Sequence, residues 1–544
     1  MTHTQSVHAN QQKPHTESFK ETFESVVMAF ILAFVFRAFI VEAFVIPTGS
    51  MAPTLLGQHM NMTCVECGYR FNTDILKSNN ANAQSGFSIA LICPMCSYPV
   101  KVDAQKQRRP GDRILVHKFI YNLTEPKRWD VVVFKFPGKP QDNFIKRLVG
   151  LPDEKLFIID GNIFTQPLNQ PDTPWQIQRK SDREVVQRTI WQPIYHSQYY
   201  PLDQGKPSLD RANAYAWQFP WKADDADRFK RVQRTWLAYD GQKPATLQFD
   251  FQSMLKNQIN FYGRPIGWYP YSQLDFSVGN IEPIEDVRIA INVMPKPNEQ
   301  SKAKGVGLTF QTTGRTDGLR PVPIRGTLSE DGKISISTGP SLGMKNASDQ
   351  QWQVRVTDQI QPLPTDRATA LEFWYVDQQV SLWVNQKKVL TWDFEVPIDV
   401  LKRRPAAPLH PALSVKIQGM PAIITELELD RDLYYSSRPN RSSMALGGLY
   451  KPGASRQGDP VAIQKDQFYC LGDNSPFSHD GRYWNDVNPW IQDRLFAGKD
   501  QVTGLVPREL MIGKAFFVYF PAPHRLTSTS AGIIPNFGDV RFIH

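Results

Sequence analysis

Apolar residues run unbroken from Val26 to Phe36, and after Arg37 the run resumes through Val41. Counted from Phe23 to Val41 this is 19 residues. At about 1.5 Å rise per residue, such a helix just spans the roughly 30 Å hydrocarbon core of a bilayer. The pattern predicts a transmembrane anchor over 23–41, behind a polar, disordered tail over 1–22. Arg37, near one end, can extend its guanidinium to the headgroups. A cleaved leader fits less well, because Glu17, Glu21 and Glu24 precede the run and no small-x-small site closes it. Past residue 41 the period falls to two. Arg113–Val116, Val131–Phe136, Phe144–Val149 and Lys155–Ile159 read as strands separated by Gly, Pro and Asp turns. Residues 165–220 are rich in Gln, Pro and Trp and read as irregular. Short alternating runs then recur, among them Ala290–Val293, Val306–Phe310, Leu371–Tyr375 and Val380–Val384, which suggests a β-sandwich.

Composition narrows the class. Of 544 residues, 41% are hydrophobic and 21% charged, which excludes a disordered chain or a fibre. A mean hydropathy of -0.39 excludes a multi-pass membrane protein but leaves room for one anchor. The net charge of +9 is spread thinly, without long basic blocks. Such a diffuse excess fits an acidic lipid surface, and no nucleic-acid partner is expected. Four of the five cysteines form two pairs, Cys64-x-x-Cys67 and Cys93-x-x-Cys96, 25 residues apart. Thiolates at i and i+3 on tight turns suit a tetrahedral zinc, and two such turns close a four-thiolate ribbon. Two disulfides are the alternative. A closed four-thiolate site is structural, so no cofactor is expected for catalysis.

Three stretches carry candidate chemistry. Pro47-Thr-Gly-Ser-Met-Ala-Pro-Thr-Leu55 puts Ser50 on a tight turn thirteen residues past Arg37. A serine nucleophile needs a base. Lys146, mid-strand in Asn143-Phe-Ile-Lys-Arg-Leu-Val-Gly150, can serve if desolvation lowers its pKa from about 10.4 toward neutrality. Arg147 faces the other way and cannot deprotonate. Gly472-Asp-Asn-Ser-Pro-Phe-Ser-His-Asp-Gly-Arg482 then offers Ser478 to orient the amine and an Asp480–Arg482 pair to brace the loop. His479 beside Asp480 raises a Ser–His–Asp alternative, but neighbouring residues in extended chain point apart and couple poorly.

Taken together and in order, these boxes resemble the type I signal peptidases, membrane-bound serine–lysine endopeptidases. Gly111-Asp-Arg-Ile-Leu-Val-His-Lys118, Arg128-Trp-Asp-Val-Val-Val-Phe134, Phe144-Ile-Lys-Arg-Leu-Val-Gly-Leu-Pro152 and Gly513-Lys-Ala515 also look like family segments. The matching segments cover about 155 residues. The resemblance implies Ser50 as nucleophile, Lys146 as general base, and an oxyanion hole from the Thr48 hydroxyl and the Ser50 backbone N–H. It implies shallow pockets lined by Phe44, Ile46, Pro47, Met51, Leu55, Phe144 and Ile145, suited to Ala-x-Ala sites in signal-peptide-bearing preproteins. It also implies a cell (plasma or inner) membrane location, with the N-terminus in the cytoplasm and the catalytic domain on the outer face. Trp129 before Asp130, Pro152-Asp-Glu154, and Gly481 between Asp480 and Arg482 depart from the family pattern without removing a catalytic group.

The expected fold is mainly β. A signal-peptidase-like β catalytic domain over 42–60, 108–165 and 459–544 is split twice, by a zinc ribbon over 61–107 and by a sandwich with an irregular lead-in over 166–458. The hairpin Leu371–Val389 weakly resembles the concanavalin or laminin-G jelly rolls, leaving an unidentified ligand or protein as a possible partner there. Core tryptophans of an alternating sandwich are the favoured reading of that hairpin over exposed, sugar-stacking ones. The competing functional readings are a serine–lysine peptidase with a specialised precursor, and a tethered, non-catalytic binding protein.

Overall fold

The structure, a computed structural model, describes residues 15–75, 90–102, 108–202, 217–250, 270–273, 284–297, 305–317, 320–341, 352–403, 411–435, 459–475, 477–484, 486–496, 503–525 and 532–544. A helix over His15–Phe39 leads into a strand at Val41–Val45. Residues 15–22 are therefore helical, not the disordered tail expected, while 1–14 lie outside the described residues. The helix also ends before Val41, which pairs with His117 in a sheet. Among the described residues no helix is long and apolar enough to cross a membrane, so the expected spanning helix gains no support from the fold. Its apolar side chains, Phe23, Met28, Phe30, Leu32 and Phe34 among them, are nevertheless exposed.

The central sheet joins strands that are remote in sequence. Its order is Val41–Val45, Arg113–His117, Met511–Phe520, Val131–Phe136, Lys139–Gly150, Gln467–Leu471, Leu505–Pro507, with Arg541–Phe542 beside Met511–Phe520. Alternation gives it two apolar faces, as expected for strands buried on both sides. Val131, Val133 and Ile145 pack with Ile114, Val116, Met51 and Leu55. Val132, Phe134 and Leu148 pack with Cys470, Trp484 and Val506. A second sheet holds Gln176–Gln178, Asn162–Pro167, Glu154–Ile159 and Val461–Ile463. Here the strand that enters the large insertion and the strand that leaves it flank the same partner, Glu154–Ile159. The insertion thus departs and returns at one place, without interrupting the sheet.

The insertion contains the two facing antiparallel sheets of a sandwich, one around Val287–Pro295 and Ala422–Arg431, the other around Val306–Gly314 and Ser414–Gly419. Ile289, Ile291, Phe310, Ile324, Phe373 and Val415 fill the space between them. Strands Thr369–Val376 and Gln379–Val384 form a hairpin turned by Asp377 and Gln378 at φ 51° and 56°, the left-handed pair that matches strand twist. Trp374 and Trp383 lie on its outer face but are 0% and 1% exposed, covered by Trp191 and by the Arg188 guanidinium 4.9 and 4.8 Å from their rings. They are packing residues and present no ring to solvent. Within the stretch expected to be irregular, helix Glu184–Ile190 packs Val186 and Ile190 in one cluster with Trp129, Val149 and Tyr469, and strand Gln192–His196 pairs with Ala422–Arg431 of the sandwich.

Lys180 ties these parts together. Its ammonium, with no exposed surface, lies 2.5 Å from Asp377 and 3.0 Å from Asp432, with the Asp286 carboxylate close by. Burial alone would lower its pKa, but the three carboxylates hold it above the usual lysine value. Burial also lifts the Asp432 carboxyl to about 6. A carboxyl whose folded pKa exceeds its unfolded value holds its proton more tightly when folded, so its contribution to stability is lost as pH rises through about 6. Lys180→Ala leaves the carboxylates uncompensated and should destabilise by about 3–5 kcal/mol at neutral pH. Urea denaturation at pH 7.5 and pH 5 checks this, with a smaller loss expected at the lower pH.

Candidate active site and four-cysteine centre

Ser50 occupies a single 3-10 turn, Gly49–Met51, directly after the strand that begins the central sheet. Met51 and Leu55 have no exposed surface and anchor the turn in the core. Ala52 N donates to Gly49 O at 3.0 Å and Leu55 N to Met51 O at 2.9 Å. From the other side, Asn474 grips the turn twice. Its backbone N donates to Ser50 O at 3.1 Å and its Nδ2 to Gly49 O at 3.0 Å. Ser50 is left half-buried and Thr48 exposed.

Lys146 approaches from the Lys139–Gly150 strand, opposite Val132. Its Nζ lies 2.8 Å from Ser50 Oγ and 3.0 Å from the Ile145 carbonyl. The residue is 3% exposed, and the Phe144 ring lies 5.1 Å below the amine. Burial pushes the Lys146 pKa down to about 8, and the Asp480 carboxylate offsets part of that fall. The amine is thus partly unprotonated near neutral pH while in contact with a hydroxyl.

The Gly472–Arg482 loop closes the site. Arg482 Nε and Nη2 hold Asp480 at 2.9 and 2.7 Å, and Gly472 N donates to Asp480 at 2.9 Å. Arg482 Nη1 also reaches Ser475 Oγ at 2.9 Å. Any residue larger than glycine at 472 would collide with Ser478 Oγ and the Ser50 carbonyl. Ser478 lies against this glycine, 2% exposed, but its hydroxyl has no hydrogen-bond partner among the described residues. The expected Ser478–Lys146 hydrogen bond is therefore not formed; the amine uses Ser50 and the Ile145 carbonyl instead. His479 is exposed and Asp480 is taken by Arg482, so the two do not couple.

The seven expected pocket residues divide. Pro47 is exposed, and Phe44 and Phe144 are half-buried, Phe144 stacked on Phe136 at 4.4 Å. Ile46, Met51, Leu55 and Ile145 are 2%, 0%, 0% and 9% exposed and belong to the core behind the turn. They support the cleft and do not form an open lining, because the 3-10 turn directs Met51 and Leu55 inward. Two contributors escaped the sequence reading. Arg147 and Asp473 form a buried two-point pair at 2.8 and 2.7 Å, and Thr54 Oγ1 donates to Asp473 at 2.6 Å. This joins the Lys146 strand, the final loop and the segment that follows Ser50 in one contact. A fixed cation alternating with Lys146 in an apolar strand was the available signal, since it must find a carboxylate when buried.

The four paired cysteines are brought together as free, buried thiols. Cys64 Sγ is 3.6 Å from Cys96 Sγ, and Cys67 Sγ is 3.5 Å from Cys93 Sγ. The two turns have matching geometry. Cys64 N donates to Tyr69 O and Cys93 N to Tyr98 O, both at 2.9 Å. Gly68 and Ser97 take the same left-handed backbone at φ 78° and 58°. Zinc–sulfur bonds of about 2.3 Å in a tetrahedron give sulfur–sulfur edges of about 3.8 Å, close to these spacings. The cluster is compatible with a structural metal.

The class to which this geometry points is met in comparisons with known proteins. A family model described as "Signal peptidase, peptidase S26" matches residues 87–205, a span that includes Lys146 but not Ser50. Among curated proteins, the chain is similar to "Signal peptidase I" of Buchnera aphidicola subsp. Baizongia pistaciae, at 31% identity over 27% of this chain and 34% of that protein. It is also similar to "Signal peptidase I" of Rickettsia typhi, at 30% identity over 27% and 42% of the two chains. The chain thus spans about a third to two-fifths of the length of these relatives. Among solved structures, carbohydrate binding module CBM66 from Bacillus subtilis aligns at 6% identity over 39% of this chain and 95% of that one, with a TM-score of 0.23. The Emp47p carbohydrate recognition domain aligns at 8% identity over 42% and 99%, with a TM-score of 0.25. Neither score is high enough to bear on the fold or the ligand of the insertion.

Lys146 should lose its proton near pH 8, whereas surface lysines stay protonated to about pH 10. Asp480→Asn removes the largest influence holding its pKa up, so the midpoint should fall further. An amine-detected NMR titration of both proteins checks the value and the direction.

Proposed function

We propose that this chain is a membrane-attached serine endopeptidase that removes signal peptides from exported preproteins, using Ser50 and Lys146 as a dyad. The observation that carries the reading is the 2.8 Å contact between Ser50 Oγ and an amine buried in apolar surroundings. The match to the signal peptidase family model around Lys146 supports the substrate class. Neutral Lys146 takes the proton of Ser50, and Oγ attacks the scissile carbonyl to form a tetrahedral oxyanion. The Ser50 backbone N–H and the Thr48 hydroxyl stabilise that charge. The Lys146 ammonium returns its proton to the departing amine, leaving an ester on Ser50. Water, deprotonated by Lys146, then hydrolyses the ester and restores both groups.

Phe44, Pro47 and Phe144 border the cleft, and Met51 and Leu55 fill the space behind it. Shallow apolar pockets suit small side chains, in keeping with Ala-x-Ala sites. The exposed apolar side chains of the His15–Phe39 helix support seating in a lipid bilayer, with the N-terminus cytoplasmic and the central sheet on the outer face. The four thiols support a structural zinc held by Cys64, Cys67, Cys93 and Cys96, which would brace the ribbon and take no part in the reaction.

Two measurements test these assignments. In liposomes, the wild type should cleave an Ala-x-Ala preprotein, and Ser50→Ala and Lys146→Ala should each lose at least about a thousandfold in rate. Cleavage that survives either substitution would rule out the dyad. Metal analysis should find one zinc per chain, with four thiols becoming reactive to a thiol reagent only after chelation. Cysteines recovered as two disulfides would overturn the metal assignment.

A further inference from the structure

The large insertion sends one short segment back to the nucleophile. The 3-10 turn Pro270–Ser272 belongs to the insertion by sequence but lies against the Ser50 turn. The Tyr271 ring covers the α-carbon of Gly49 so closely that a β-carbon there would overlap Cε1, Cζ and the phenol oxygen. Tyr271 is 7% exposed, and its hydroxyl has no hydrogen-bond partner among the described residues. The ring therefore acts by shape, not by a polar contact. Next to it, Ser272, 1% exposed, meets Asn474, with Oγ 3.4 Å from Oδ1 and 3.3 Å from Nδ2. Asn474 is the residue that grips both Gly49 O and Ser50 O. Gln273 anchors the far end. Its Oε1 accepts from Ile92 N at 2.9 Å and its Nε2 donates to Ile92 O at 3.0 Å, one residue before Cys93 of the ribbon.

We infer that Tyr271–Gln273 is a positioning clamp, through which the large insertion and the cysteine ribbon together hold the Gly49–Ser50 turn against Lys146. The inference rests on the Ser50–Lys146 reading above. Tyr271 blocks the turn from rotating away on one side, Ser272 sets the Asn474 side chain on the other, and Gln273 fixes the segment to the ribbon. Neither Tyr271 nor Ser272 touches the reacting atoms; both act through Gly49 and Asn474. Such a clamp gives the two insertions a shared task at the cleft. Misplacing a reacting group by about 1 Å can cost on the order of a hundredfold in rate, so a loosened turn should show in kcat.

Two readouts on the full chain in liposomes or detergent test the clamp. Tyr271→Ala should lower kcat for an Ala-x-Ala preprotein by about 10- to 100-fold, with KM changed by less than about twofold. Tyr271→Phe should keep wild-type kcat, because the hydroxyl has no hydrogen-bond partner among the described residues. Gln273→Ala, remote from the turn, should lower kcat in the same direction but by less. Independently of any substrate, the Lys146 titration should move from near pH 8 toward the ordinary lysine value in Tyr271→Ala, as the turn recedes and water reaches the amine. A Tyr271→Ala protein that is folded, with kcat and the Lys146 titration both unchanged, would overturn the clamp. If the wild type does not cleave the preprotein, the functional reading fails while the titration still decides the clamp. A shifted midpoint then supports it, and an unchanged one rejects it.

Discussion

Everything at the candidate site depends on keeping one amine out of water. In solution a lysine is almost fully protonated at neutral pH and cannot take a proton from a serine. Packed over Phe144 and behind the Gly472–Arg482 loop, Lys146 has its pKa brought down to about 8. The same burial brings its Nζ to 2.8 Å from Ser50 Oγ. One desolvation thus supplies both the lowered pKa and the alignment that the proposed base requires. Asp480 works against the lowering, and Arg482, held at 2.7 Å, balances that carboxylate. The Asp–Arg pair therefore does more than brace a loop: it sets how much charge the amine feels.

Buried polar contacts also join segments that are far apart in sequence. Arg147, Asp473 and Thr54 meet in one cluster, which fastens the Lys146 strand to the final loop and to the segment that follows Ser50. Lys180 does the same between the lead-in and the sandwich through Asp377 and Asp432. Breaking either arrangement by removing one partner strands a charge in a low-dielectric interior, which costs far more than a surface ion pair does. A chain whose central sheet is assembled from three separated stretches needs such contacts to fix the register of pieces that turns alone cannot align.

How much of this was legible in the sequence varied with the range of the interaction. Strands such as Val131–Phe136, a continuous apolar run, and Val306–Gly314, with apolar residues at every second position in its first half, were visible because their pattern is local. The cysteine spacing announced two turns, and the structure brings all four thiols together. Ser50 and Lys146 were found through ordered motifs, and the two side chains do meet. The Ser478 hydroxyl, assigned to Lys146, instead lies against Gly472 without a hydrogen-bond partner among the described residues, a matter of rotamer and loop path that no spacing encodes. Met51 and Leu55 read as apolar in either a pocket or a core; only the direction of the 3-10 turn decides for the core. Tyr271 and Ser272 left no signal at all. They lie more than two hundred residues from Gly49, and their contact with it exists only in three dimensions.

The central claim is that a buried, readily deprotonated Lys146 activates Ser50. The pH dependence of kcat/KM for preprotein cleavage tests it most directly, because this ratio reports the ionisation of the free enzyme. The account predicts a single ascending limb with its midpoint near pH 8, and no activity at any pH in Lys146→Arg, whose guanidinium stays charged. A flat profile between pH 6 and 10, or full activity in Lys146→Arg, would contradict it.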